Sequence, residues 1–188
     1  MMERSDWIRW GGLAAIAAGI LAIVYLLLGL AVGKGDEPGP LDILAILAMA
    51  LQVVALIGFH TLQGRNYGRI GRAGLYISIA AIVLFEFLIL VSLLAGNMDL
   101  LEVLVPVGVL GLLVGLVLYG AATLQARVLP RWCGILFILQ MPGTILLGSL
   151  LPGDYSNIWG GLVWVALGYA LWSHSSSSAA SQRPSRVR

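Results

Sequence analysis

The chain has 188 residues, 60% of them hydrophobic and only 11% charged, with a formal net charge of +2. Soluble domains carry about 25% charged residues. The composition therefore excludes a water-covered globule and points to one membrane domain, with no soluble domain before, within or after the apolar part. A lone cysteine, Cys133, excludes an internal disulfide and paired-thiol redox chemistry.

A helix rises about 1.5 Å per residue, so roughly 20 apolar residues cross a hydrocarbon core of about 30 Å. Six stretches qualify in chain order: 10–33, 43–63, 73–98, 103–126, 132–151 and the shorter 155–173. The third is interrupted only by Glu86. Segments such as Ile79–Leu84 and Val109–Leu118 are apolar at nearly every position, without the alternation of a barrel strand. The fold class expected is all-α: a polytopic membrane protein of six transmembrane helices in an antiparallel bundle. The first apolar stretch is longer than the roughly 7–15 residues of a signal peptide, and is read as a retained helix. Turn chemistry separates the spans: Gly33–Pro40, the glycine- and arginine-rich 64–74, Pro130, and Pro152-Gly153. Pro106 is expected in the first turn of span four, where it is tolerated. Residues 174–188, with their serines and three arginines, read as a disordered basic cytoplasmic tail.

Charge sets a direction. Arg4, Arg9, Arg65, Arg69, Arg72, Arg127, Arg131, Arg183, Arg186 and Arg188 all fall on one side of the spans, which is ten of the eleven basic residues. Asp36, Glu37, Asp42, Asp99, Glu102 and Asp154 fall on the other, with Lys34. Because cytoplasmic loops are enriched in Lys and Arg, both termini are expected in the cytoplasm. Trp7, Trp10, Tyr67, Trp132 and Trp172 are expected at the inner interface, and Tyr155 and Trp159 at the outer one.

Two span ends echo each other. Leu56–Arg65 reads LIGFHTLQGR and Leu118–Arg127 reads LYGAATLQAR. A glycine follows each turn, Gly74 and Gly134. The echo fits a repeat of two hairpins, spans 2–3 and 4–5, about an axis along the membrane normal. It fits equally well two independent solutions to one boundary problem.

Polar residues inside the spans are few. Glu86, expected near the midplane, is costly in lipid and is the first candidate for function. Gln52 and Gln140 are expected at similar depth, and the three form the candidate intramembrane polar site. A neutral Glu86 bonded to a glutamine as interhelical glue is the structural alternative. Pro142-Gly143 should kink span five beside Gln140, making Glu86, Gln140 and Pro142 the expected lining of an internal pocket. His60 reads as an interfacial polar residue and Cys133 as a small apolar filler. Gly108, Gly111, Gly115 and Gly120 in span four, and Ala15 with Gly19 in span one, read as close-packing positions. No metal-ligand cluster, cofactor motif or nucleophile–base pattern stands in the sequence, so neither metal, cofactor nor enzymatic activity is expected.

The step Arg127-Val128-Leu129-Pro130-Arg131-Trp132, entering an apolar helix, resembles an inner-loop (L/I)PRW step of uncharacterised multi-helix bacterial integral membrane proteins. The Gly168–Trp172 segment is similar to an ending seen in the same group. The resemblance covers these two motifs, implies a bacterial inner membrane and carries no activity. The expected function is a non-enzymatic accessory or interaction bundle, and the alternative is a small proton-coupled transporter or channel using Glu86. The expected surroundings are the lipid bilayer and a protein partner or second copy. Nucleic acid is not expected, since the arginines spread evenly over the inner turns.

Overall fold

A computed structural model describes residues 4–33, 39–64, 66–95, 99–150 and 155–181. It contains six helices: α1 (Arg4–Val32), α2 (Asp42–Gln63), α3 (Gly68–Ala95), α4 (Asp99–Ala126), α5 (Arg131–Leu150) and α6 (Ser156–Ser181). Among the described residues there is no strand. In lipid every backbone group must be satisfied within its own segment, and uninterrupted helices do this.

Five helices are long and apolar enough to cross a membrane, and the chain is a multi-pass membrane protein. The exception is α6, whose hydropathy is diluted by three tryptophans and three glycines and by its serine-rich end. It packs on α1 at the Gly12–Gly168 and Gly19–Gly161 crossings. Beyond Gly168 no glycine or proline occurs before Pro184. The helix therefore continues through Ser181, and residues 174–181 are helical rather than part of an irregular tail. Residues 182–188 lie outside the described residues.

The helices form a closed ring in chain order, with α6 returning to pack on α1. The most extensive interfaces are α1–α6 and α3–α4, and the weakest between sequence neighbours is α2–α3. Small residues explain the close ones. A methyl group at Gly19 would lie 2.4 Å from the Gly161 carbonyl oxygen, and one at Gly168 2.7 Å from that of Gly12. On α4, Gly111 and Gly115 meet Ala81 and Ser78 of α3, while Gly120 meets Gly134 of α5. The glycine stripe of span four thus serves two neighbours at once, by backbone approach that larger residues would prevent.

The echo is not carried into the packing. The α4–α5 hairpin is closely joined, whereas α2 and α3 are splayed. Gly58 packs on Gly11 of α1, but its counterpart Gly120 packs on α5. The turns also differ. Helix α2 ends at Gly64, which takes a positive φ of 57°. Alanine replaces that glycine in the second copy, so α4 runs one residue further and ends with Arg127 at φ 52°. Glycine adopts this conformation freely and arginine does not.

Helix α4 starts four residues before the expected position 103. Because α4 begins at Asp99, Pro106 stands two turns inside it rather than in its first turn. Tyr67 and Trp159, expected at the interfaces, turn inward: Tyr67 is buried and Trp159 packs against the core. Trp7, Trp10, Trp132, Trp172 and Tyr155 do remain exposed.

Large apolar side chains such as Ile20, Leu27, Val83 and Phe87 cover the outside, each at least half exposed. In water such a surface would aggregate, and in lipid it is the solvated face. The buried interior, by contrast, includes Gln63, Ser78, Ser92, Thr123 and Gln140.

Candidate functional site

An aromatic cluster fills the centre of the ring. Phe137 of α5 meets Phe59 of α2 and Tyr119 of α4, each edge-on with centroids 5.2 Å apart, and Trp164 of α6 at 6.2 Å. Tyr119 in turn meets Tyr67 at 5.9 Å. Edge-to-face pairs set the positive rim of one ring on the negative face of the next. Tyr67 reaches this position from the α2–α3 turn and hydrogen-bonds His60 through its hydroxyl and the ring Nδ1. His60 is thereby held to a buried tyrosine rather than left at the membrane interface.

Beside the cluster the two echo segments are joined. Gln63 Nε2 donates to Thr123 Oγ1 at 3.0 Å, and Thr123 Oγ1 also donates to the Tyr119 carbonyl at 2.8 Å. The positions equivalent by the echo do not repeat the pair: Gln125 is exposed, and Thr61 Oγ1 donates to the Ile57 carbonyl of its own helix.

The three candidate residues occupy different surroundings. Gln140 is buried, one turn beyond Phe137 on the inward face of α5, about 4.5 Å further along the axis. Gln52 shares the face of Leu56, Phe59 and Gln63, about 10 Å from Phe59 toward the N-terminal end of α2, and is half-buried. Glu86 lies about 18 Å along α3 from Gly74, and Gly74 abuts Tyr119. Starting five residues earlier than expected, α3 carries Glu86 closer to its C-terminal end than to its N-terminal one. The spread in depth spans more than two turns, and α3 shares no extensive interface with α5. Glu86 and Gln140 therefore do not line one common pocket.

Glu86 sits on a border. Its neighbours one turn away are Ile82, which is buried, and Val83 and Leu90, which are about half exposed. The side chain is half-buried, and its Oε1 is enclosed without a hydrogen-bond partner. Four other enclosed polar atoms share that condition: Ser78 Oγ, Tyr119 Oη, Gln140 Oε1 and Trp164 Nε1.

Pro142 stands inside α5, which runs as one helix from Arg131 to Leu150. Proline has no N–H and crowds the carbonyls of the preceding turn. Trp159 of α6 adds a donor in that turn, to carbonyls other than the Ile138 one that Pro142 leaves without its N–H: its Nε1 lies 3.2 Å from the Gln140 carbonyl oxygen and 3.3 Å from that of Leu139. Thr144 Oγ1 donates to the same Gln140 carbonyl at 2.9 Å. A methyl group at Gly143 would stand 2.3 Å from Trp159 Nε1, so the glycine makes the notch that the indole fills.

Neither protein-family models, nor curated proteins, nor solved structures give a match to this chain. Its function is therefore argued from its own residues.

At the start of α2, the Asp42 carboxylate accepts from Gly39 N of the preceding turn at 2.7 Å and from the Tyr25 hydroxyl at 2.8 Å. This ties α1 to α2. Cys133 is fully buried in the core cluster, in keeping with a filler.

Proposed function

We propose that the chain is a bundle of the bacterial inner membrane, with both termini cytoplasmic, that acts without catalysis by associating with another membrane protein or a second copy through the flank of α3 around Glu86. The observation that carries this reading is the position of Glu86, half-buried between a core residue and a lipid-facing stripe, with an oxygen unpartnered by its own chain. An intramembrane carboxyl is expensive, and a partner's donor would offset that cost. The orientation rests on the one-sided arginines. Reporter fusions at Gly39, Met98 and Gly153 should all report the outer side, and a cytoplasmic signal at any of them reverses the assignment.

The association is tested with a photo-crosslinking amino acid in place of Phe87, activated in native membranes. A discrete protein adduct is expected, kept in Glu86→Gln and lost in Glu86→Leu. Adducts to lipid alone, or an adduct indifferent to Glu86→Leu, would defeat the reading.

A second reading, a small proton-coupled transporter or channel using Glu86, is favoured by the unpartnered polar atoms enclosed on α3, α4, α5 and α6. It requires that purified protein in liposomes carry a proton flux under an imposed potential, and that Glu86→Gln abolish it.

A further inference from the structure

We propose that Tyr119 Oη, Gln140 Oε1 and Trp164 Nε1, grouped about Phe137, bind a small uncharged hydrogen-bonding guest.

The three side chains come from three helices, α4, α5 and α6: Tyr119 and Trp164 flank the Phe137 ring, and Gln140 stands one turn from Phe137 on α5. Tyr119 and Trp164 lie edge-on to Phe137 at 5.2 and 6.2 Å. Gln140 follows Phe137 by one turn on the same face of α5. All three are more than nine-tenths buried, with relative exposures of 0%, 7% and 1% for Tyr119, Gln140 and Trp164. Yet the tyrosine hydroxyl, the glutamine oxygen and the indole nitrogen have no hydrogen-bond partner in the protein.

Buried polar groups in native proteins are almost always paired. Leaving one dry costs about 1–3 kcal/mol by mutational measures, and in a lipid-embedded bundle water outside cannot make up the loss. Three such groups around one ring are unlike a random residue of imperfect packing. Their chemistry is complementary to one guest: an indole N–H donates, an amide oxygen accepts, and a phenol does either. None carries a charge in its ordinary state, which suits water or a neutral polar molecule and disfavours an ion. Elsewhere in the bundle the same residue types are satisfied internally: Trp159 by the Gln140 and Leu139 carbonyls, Gln63 by Thr123, and Tyr67 by His60. The fold can pair these groups, and around Phe137 it leaves them for something else.

The test uses the purified full chain in lipid nanodiscs with 15N-labelled tryptophan. The Trp164 indole proton is assigned by its loss in Trp164→Phe. A cross-peak from that proton to a long-lived water, or a neutral compound released in stoichiometric amount on denaturation, supports the site, and the two results distinguish water from an organic guest. Thermal unfolding supplies the independent reading. If a guest bridges the groups, Tyr119→Phe and Gln140→Leu each break its contacts and lower Tm, by about 2–4 °C for each kcal/mol lost in a chain of this size. If the groups are dry, either substitution removes an unpaired polar atom and Tm stays or rises. An indole proton without a water or guest signal, together with an unchanged or higher Tm in both variants, overturns the proposal.

Discussion

The indole Nε1 of Trp159 lies 3.2 Å from the backbone oxygen of Gln140, so that α6 supplies a hydrogen bond to a carbonyl in the turn disturbed by Pro142. The proline stands on α5 and the indole that ties its turn to the neighbouring helix on α6. Trp159→Phe keeps the ring and deletes the donor. It should cost about 0.5–1.5 kcal/mol, the net worth of one such bond. Gly143→Ala places a methyl group against the same nitrogen and should cost about 1–3 kcal/mol by overpacking. In the double variant the two losses should sum to less than their total, because both act on one contact. Unfolding titrations of the four proteins measure this, and strict additivity would mean that the indole and the notch are independent.

Two adjacent glycines on α6 offer a matched comparison. A methyl group at Gly161 would lie 2.6 Å from Ile23 Cγ1 and 2.8 Å from the Gly19 carbonyl oxygen, whereas one at Gly160 would meet nothing within 4 Å. Gly161→Ala should push α1 from α6 and destabilise by about 1–3 kcal/mol. Gly160→Ala should be neutral or stabilising by up to about 1 kcal/mol, through the better helix propensity of alanine. Equal effects of the two in thermal unfolding would remove the case for close α1–α6 contact.

Thr123→Val strips the partner from buried Gln63 and should cost about 1–3 kcal/mol, since an amide is then left unpaired. Gln125→Leu, at the position equivalent to Gln63, should change stability by less than about 0.5 kcal/mol because that side chain is exposed. Comparable losses at both sites would indicate a symmetric pair of bonds and so a working repeat.

Gly71 marks a fourth contact. A methyl group there would overlap the Tyr67 ring, the ring that binds His60 and faces Tyr119. Gly71→Ala should therefore displace Tyr67. Tyrosine fluorescence quenching or modification by a polar reagent at Tyr67 should rise, and an unchanged buried Tyr67 would contradict the geometry.

The helices were legible because lipid imposes a simple rule: long apolar runs separated by glycine, proline and charge. The glycines of α4 were legible for a related reason, since small residues at helical spacing let backbones meet. Partner choice was not. Nothing local to Gly120 says that it packs on α5 while Gly115, five residues earlier, packs on α3. That follows from the closure of the ring. Tyr67 and Trp159 carry the same amphipathic chemistry as true interfacial aromatics, and only the His60 and Gln140 contacts decide that they turn inward. The candidate site was half legible. Gln140 and Glu86 are both unusual residues for a membrane, but their separation depends on where α3 begins, and a charged, glycine-rich turn such as 64–74 leaves that start ambiguous by several residues.

The central claim is that Glu86 serves something beyond its own bundle. The most direct measurement is the unfolding free energy of the purified protein, held monomeric, with Glu86 and with Glu86→Leu. A carboxyl whose enclosed oxygen has no internal partner should be dispensable to the fold, so the variant should be as stable as the parent or more so, while losing the adduct at Phe87 in native membranes. A loss of more than about 1 kcal/mol in the isolated variant, the worth of a made hydrogen bond, would show that Glu86 is internal glue and would contradict the proposed role.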